Sequence, residues 1–176
     1  MKRRDFITRI LTNLTVFSLG WSMWLVRPAA SSLSKFPKPG KKDRCPVCGM
    51  FVHKYPKWMA GFVFVNGRKY FHCSPKCMLH NLNHIFKYQP GQNREKLALI
   101  WVTEYYTTKK MDAHDLLFVV GTNLVGPMGL DLIPVKGRKA ANNLKQDYEG
   151  DLILTLAQIT PKIIDQARRG RLRPFF

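Results

Sequence analysis

The stretch Cys45-Pro46-Val47-Cys48-Gly49-Met50, with 24 residues between Cys48 and the answering Cys73-Ser74-Pro75-Lys76-Cys77, decides how this chain is read. It contains all four cysteines of a 176-residue sequence. A C-x2-C knuckle paired with C-x3-C at the head of a helix has metal-ligand spacing. Met50 adds a thioether two residues beyond Cys48, and mixed soft sulfur donors favour Cu(I) over harder ions. Three outcomes are open at this point: the sulfurs hold a structural ion, carry a mobile one, or are cross-linked.

Working outward, Ser74 and Pro75 read as the N-cap and first residue of a helix running to about Phe86. Ala60–Val65 is rich in β-branched and aromatic residues, Asn66-Gly67 marks a hairpin, and Lys69–His72 is its return strand. Gly91–Arg94 reads as a loop and Leu97–Tyr106 as a strand. The order recurs downstream, with strands at Leu116–Gly121 and Asp131–Val135, a helix at Arg138–Tyr148 and a strand at Leu152–Ile159. A short helix after Thr160-Pro161 reaches Arg168. The expected fold is α+β, built from two similar ββαβ units, the first of them treble-clef-like. The expected divisions are a signal or anchor over 1–30, a linker over 31–42, a first unit over 43–108, a second over 109–160 and a basic C-terminal helix or tail over 161–176. Each unit is too small for much of a core, so the two should pack together or lean on a metal.

The chain carries 29 Lys and Arg against 11 Asp and Glu, a formal charge of +18. Only four of those net charges fall in residues 1–30. Such a surface suits anionic partners, an anionic membrane surface or an acidic protein among them. Nucleic acid is not expected, because no helix-turn-helix, RNP-like or KH-like signature accompanies the charge. Arg168-Arg169-Gly170-Arg171-Leu172-Arg173 reads as either a local docking run or a solvated tail.

Arg3-Arg4-Asp5-Phe6-Ile7, followed by a moderately apolar stretch from Ile10 to Val26, resembles a twin-arginine export signal. Pro28-Ala29-Ala30-Ser31 offers small residues for cleavage. The alternative is a retained membrane anchor over residues 10–26, with Trp21 and Trp24 at an interface. Either way the expected location is outside the cytoplasm, in the periplasm. There the cysteines could pair as disulfides, whereas thioethers are not lost that way.

The cysteine pattern resembles a treble-clef knuckle of the kind seen in TRASH and YHS-type metal domains. Placing Cys73 at a helix N-terminus predicts a lowered thiol pKa. Cys45-Pro46-Val47-Cys48-Gly49-Met50 followed by Tyr55-Pro56-Lys57-Trp58 resembles the opening of the NosL family of nitrous oxide reductase accessory proteins. Val102-Thr103-Glu104-Tyr105, Met111-Asp112-Ala113, Phe118-Val119-Val120-Gly121, Gly126-Pro127-Met128-Gly129 and Ile133-Pro134 are similar to that family in the same order, over roughly residues 45–160. The resemblance implies two ββαβ units and an extracytoplasmic copper chaperone. It further implies Cu(I) bound by Cys48, Met50 and Met128 and passed on for assembly of nitrous oxide reductase with an ABC-type maturation complex. The twin-arginine-like start stands where the family commonly has a lipoprotein anchor. Cys45, Cys73 and Cys77 form a fuller set than copper delivery needs, and could build a structural zinc site or a protective disulfide.

Nucleophile–base pairs, phosphate loops and paired carboxylates are absent from the sequence, so no enzyme is expected. The competing reading is a structural zinc or heavy-metal module of treble-clef type that mediates protein interaction, with Cys45, Cys48, Cys73 and Cys77 as equal ligands. A thiol oxidoreductase using Cys45 and Cys48 is disfavoured, because no thioredoxin-like helix pattern follows them. His72 is expected to be hydrogen-bonded at a strand end rather than an auxiliary ligand. His80 and His84, four apart, are read as a solvated helix face rather than a metal pair. His53 and His114 have no assigned role, while Met59, Met78, Met111, Trp58 and Trp101 are read as packing.

Overall fold

Alternation of side chains builds the first sheet. In β1 (Ala60–Phe64), Ala60, Phe62 and Phe64 share one buried face. Gly67, at φ 80°, turns the chain into β2 (Lys69–His72), which pairs antiparallel with β1 from Ala60↔His72 to Val63↔Lys69. Ser74 then caps α1 (Pro75–Asn83): its hydroxyl accepts from the Cys77 N–H at 3.4 Å, and Pro75 sits where no helical N–H is needed. The expected helix to Phe86 breaks at His84, with α2 (Ile85–Tyr88) beyond it. β3 (Leu97–Thr103) returns beside β1 and stops short of Tyr106. There Glu104 folds the chain over by accepting from both the N–H and the hydroxyl of Thr107 at 2.7 Å. β4 (Lys110–Asp112) adds an edge strand, giving the order β2-β1-β3-β4.

The second unit repeats the plan. After β5 (Leu117–Val120) the chain forms a small hairpin, β6 (Val125–Gly126) and β7 (Gly129–Leu130), before β8 (Ile133–Val135), α3 (Arg138–Asp147) and β9 (Leu152–Thr155). Its sheet has the order β8-β5-β9. In both units the first strand lies between the second and third, so the expected pair of ββαβ units shares one topology. The expected strand to Ile159 ends at Thr155 and continues as a 3-10 turn over Leu156–Gln158. The last helix, α4 (Pro161–Arg168), is capped by the Thr160 hydroxyl.

The two units share a core. Phe62, Met78, Leu82 and Ile100 from the first meet Phe118, Leu132, Ile163 and Ile164 from the second unit and α4. β5 is buried on both faces: Phe118 and Val120 enter that core, while Val119 joins Ile133, Val135, Ala141 and Leu144 under α3. The C-terminal segment therefore begins as a packed helix rather than a tail, with Ile163, Ile164 and Ala167 buried and α4 against α1. The computed structural model describes residues 36–170, and the predicted signal and the end of the arginine run lie outside them. Among the described residues no helix is long and apolar enough to cross a membrane.

On the opposite face of the first sheet, Trp101 lies across from Gly61 and is fully buried. A Cβ at Gly61 would stand 2.6 Å from the Tyr70 carbonyl oxygen and 2.8 Å from the indole. Only glycine lets the indole lie against the strand. Gly61→Ala should cost about 1–3 kcal/mol by overpacking, read as a lower urea midpoint. A midpoint unchanged from wild type would refute this placement of Trp101. Ile164→Ala should cost about 2–4 kcal/mol by leaving a cavity, whereas an α4 that is only a solvated appendage would show no loss.

Candidate metal centre

The first arm is a tight loop. Arg44 bridges to Phe51, the Cys45 N–H donates to the Met50 carbonyl at 2.8 Å, and the Gly49 N–H donates to the Cys45 carbonyl at 2.8 Å. Gly49 has φ 76°, the left-handed conformation that closes such a knuckle without a Cβ penalty. The second arm places Cys73 just after β2 and Cys77 in the first turn of α1, held there by the Ser74 cap.

The arms meet at their sulfurs. All four Sγ atoms lie within 4.8 Å of one another. Cys48 Sγ is 3.4 Å from Cys73 Sγ, and Cys73 Sγ is 3.8 Å from Cys77 Sγ. Four sulfurs at tetrahedral corners around an ion with bonds of about 2.3 Å stand about 3.8 Å apart, so the cluster has the size of a metal-thiolate site. All four cysteines are free thiols, which sets aside the disulfide outcome for this structure. Cys45, Cys73 and Cys77 are buried and Cys48 is partly exposed, with Val52, Met59 and Trp101 as the apolar surround. The donor set fits a soft cation.

Their acidities follow from crowding. Cys45 is held far below the ordinary thiol range because Cys48 first, then Cys73 and Cys77, donate to its thiolate. Cys73 and Cys77 are pushed up, chiefly by Cys45, so each keeps its proton. Cys48 is lowered to about 7: Cys45 opposes its ionisation, but Cys73 and Cys77 outweigh that effect. The expected lowering of Cys73 by its helix is therefore corrected, because neighbouring sulfurs dominate a weak terminal dipole. A bound cation would lower all four by supplying the positive charge that offsets the repulsion between neighbouring thiolates.

One side of the cluster is open. A cavity of about 260 Å³ is lined by Val47, Cys48, Lys76, Cys77, Met128 and Arg168. Met128, at the tip of the β6–β7 hairpin, is 45% exposed. Met50 packs against the cysteine cluster and is not part of that wall. The structure thus gathers Cys45, Cys48, Cys73 and Cys77, sets Met128 on the cavity with Cys48 and Cys77, and leaves Met50 in the adjoining packing. A larger cavity of about 580 Å³, lined by residues including Glu104, Lys136 and Asp147, has no comparable group of soft donors.

Neither Lys76 nor Arg168 is expected at the site from the sequence, where Arg168 only opens the basic run read as a docking segment or solvated tail. Lys76 is 3% exposed, and its Nζ donates to the carbonyls of Met128 at 2.7 Å and Leu130 at 2.5 Å. A cation in the first turn of a helix opposes the helix dipole, and that mismatch was the available signal. Arg168 Nη1 lies 2.9 Å from both ring nitrogens of His80, which is buried and pushed down to about 4 by desolvation and then by the guanidinium. The expected solvated His80–His84 face is corrected accordingly: only His84 is exposed, its Nδ1 2.9 Å from the His80 carbonyl oxygen. His72 is buried with Nε2 2.8 Å from Asn81 Nδ2, a hydrogen-bonded core residue. His114 pairs with Asp112 at 2.9 Å. Trp58 packs under the hairpin, 3.2 Å from where a Cβ on Gly126 would stand.

The NosL family model matches residues 37–164, well over half of the chain. No curated protein matches it. Among solved structures the chain is similar to the crystal structure of the copper chaperone NosL from Shewanella denitrificans, with a TM-score of 0.57 and 17% sequence identity. That likeness covers 72% of this chain and 96% of the other, and at such identity it speaks to the fold alone. With the cysteine knuckle, the paired ββαβ units and the matched span in agreement, the chain belongs to the NosL family.

Proposed function

We propose that this chain is an extracytoplasmic Cu(I)-binding accessory protein, a copper chaperone that delivers the ion for maturation of nitrous oxide reductase. One observation carries the reading: the thiol cluster is open on one side, where Cys48, Cys77 and Met128 line a single cavity. Cu(I) prefers few, soft ligands. An ion seated at that wall is reached by an incoming ligand without unfolding the two arms at Cys45 and Cys73. The neutral thioether of Met128 is the weakest donor and yields first, followed by the partly exposed Cys48. Cys48, Met50 and Met128 are the proposed cargo ligands, with Cys77 joining them from the cavity wall.

The remaining assignments rest on the sequence. The twin-arginine-like start supports export to the periplasm, and the basic surface supports contact with an anionic membrane. Nitrous oxide reductase and its ABC-type maturation complex are the proposed partners, on the strength of the family resemblance. The protein acts by ligand exchange and is not an enzyme.

A second reading is favoured by a specific observation, the near-tetrahedral sulfur spacing of 3.4 and 3.8 Å. It makes the cluster a closed structural zinc site that serves protein interaction. Metal analysis of anaerobically purified protein, with chelator competition, separates the two. Copper delivery predicts one Cu(I) per chain, bound at least tenfold more weakly by both Cys48→Ser and Met128→Leu, on the scale of about 1.4 kcal/mol per tenfold. The zinc reading predicts a retained Zn(II) that any of the four Cys→Ser changes releases and Met128→Leu leaves untouched. Unchanged Cu(I) affinity in a Cys48→Ser/Met50→Leu double variant would end the chaperone assignment.

A further inference from the structure

The lysine between the two cysteines of the second arm bridges the thiol cluster and the hairpin that carries Met128. We infer that Lys76 is the positioning residue that holds Met128 at the cavity beside the sulfurs, a role that rests on Met128 donating its thioether to the cargo. Lys76 lies between Cys73 and Cys77 in sequence, and its own N–H donates to Asp131 Oδ1 at 2.7 Å. Its Nζ donates to Met128 O at 2.7 Å and Leu130 O at 2.5 Å and reaches Ala167 O at 3.5 Å. One residue of the metal-binding loop therefore holds the hairpin at both ends of β7, at Met128–Leu130 and at Asp131, and holds the end of α4 as well.

The hairpin needs such a hold. Its strands are two residues each, paired only as Val125↔Leu130 and Gly126↔Gly129. A ribbon that short has little stability of its own. Val125 and Met128 are exposed and so anchor it little, while Trp58 lies beneath Gly126 and α4 packs against β7. The ammonium bonds the backbone of Met128 itself, so the origin of the thioether arm is fixed relative to Cys77, the next residue after Lys76. Burying a cation among carbonyl groups is unfavourable unless its donors are used. Here the donors are spent on the segment that presents a soft ligand. Ligand-supporting partners of this kind commonly change metal affinity by about 10–100-fold.

The test is a double-mutant cycle in the full chain, with Cu(I) alone as the ligand and a chelator as competitor. Lys76→Met keeps the apolar stem and removes every Nζ donor. Its Co(II)-thiolate charge-transfer band should match wild type, since the four sulfurs are untouched. Cu(I) affinity should fall about tenfold in Lys76→Met and about tenfold in Met128→Leu, while the double variant should be no more than about twofold weaker than either single. Losses that multiply to about a hundredfold would show that Lys76 does not act through Met128, and would overturn the inference. Wild-type Cu(I) affinity in Lys76→Met beside a weakened Met128→Leu would overturn it too, leaving the copper reading intact. Unchanged affinity in Met128→Leu would remove Met128 from the site and, with it, both the proposed donor set and this role of Lys76. Should Lys76→Met lose the Co(II) band, the same cycle is run on Lys76→Gln and judged by the same outcomes.

Discussion

Four ionisable thiols held within 4.8 Å of one another make an arrangement that a purely apolar core would not keep. Deprotonating more than one of them brings like charges together in a poorly solvated place, and leaving all protonated wastes their capacity to ligate. A soft cation resolves the conflict. The surrounding structure serves this convergence: Gly49 closes the first knuckle, Ser74 sets the helix that carries Cys77, and Gly61 lets Trp101 pack beside the sulfurs.

The centre is not symmetric, and its asymmetry gives it a direction. Cys73 is fully buried and Cys45 nearly so, while Cys48 and Cys77 line the cavity with Met128 and Arg168. Cationic residues flank the open side, where Lys76 and Arg168 reduce the cost of collecting thiolate charge. Under the proposed delivery role, an arriving ligand would meet Cys48, Cys77 and Met128 before the buried Cys45 and Cys73.

Neither ββαβ unit could support this alone. The first unit uses one sheet face for the thiol cluster and the other for the shared core, and the second covers that core with β5, Leu132 and α4. The hairpin between β5 and β8 then projects from the second unit toward the cysteines of the first. The cysteine knuckle and the second unit therefore meet at one contact, with Lys76 and Asp131 at its centre. Burial raises the Asp131 carboxyl to about 6, and its Oδ1 accepts from both the Lys76 and Leu132 N–H groups.

What could be read from the chain itself was set by short-range rules. Asn66-Gly67 marks a hairpin because glycine takes positive φ, Ser74-Pro75 starts a helix because one supplies a cap and the other needs no N–H, and C-x2-C with C-x3-C brings sulfurs together within a few residues. The repeated strand and helix order followed from the same local patterns. The tertiary structure alone decided the rest. Lys76 finds its partners 52 and 54 residues away, and His80 meets Arg168 at a separation of 88, distances at which no spacing rule operates. It likewise put Cys77 rather than Met50 on the cavity wall, because that depends on how α1 and the β6–β7 hairpin pack. Propensity and turn chemistry act within a few residues along the chain, whereas the surroundings of a side chain are set by whatever distant segment comes to lie against it.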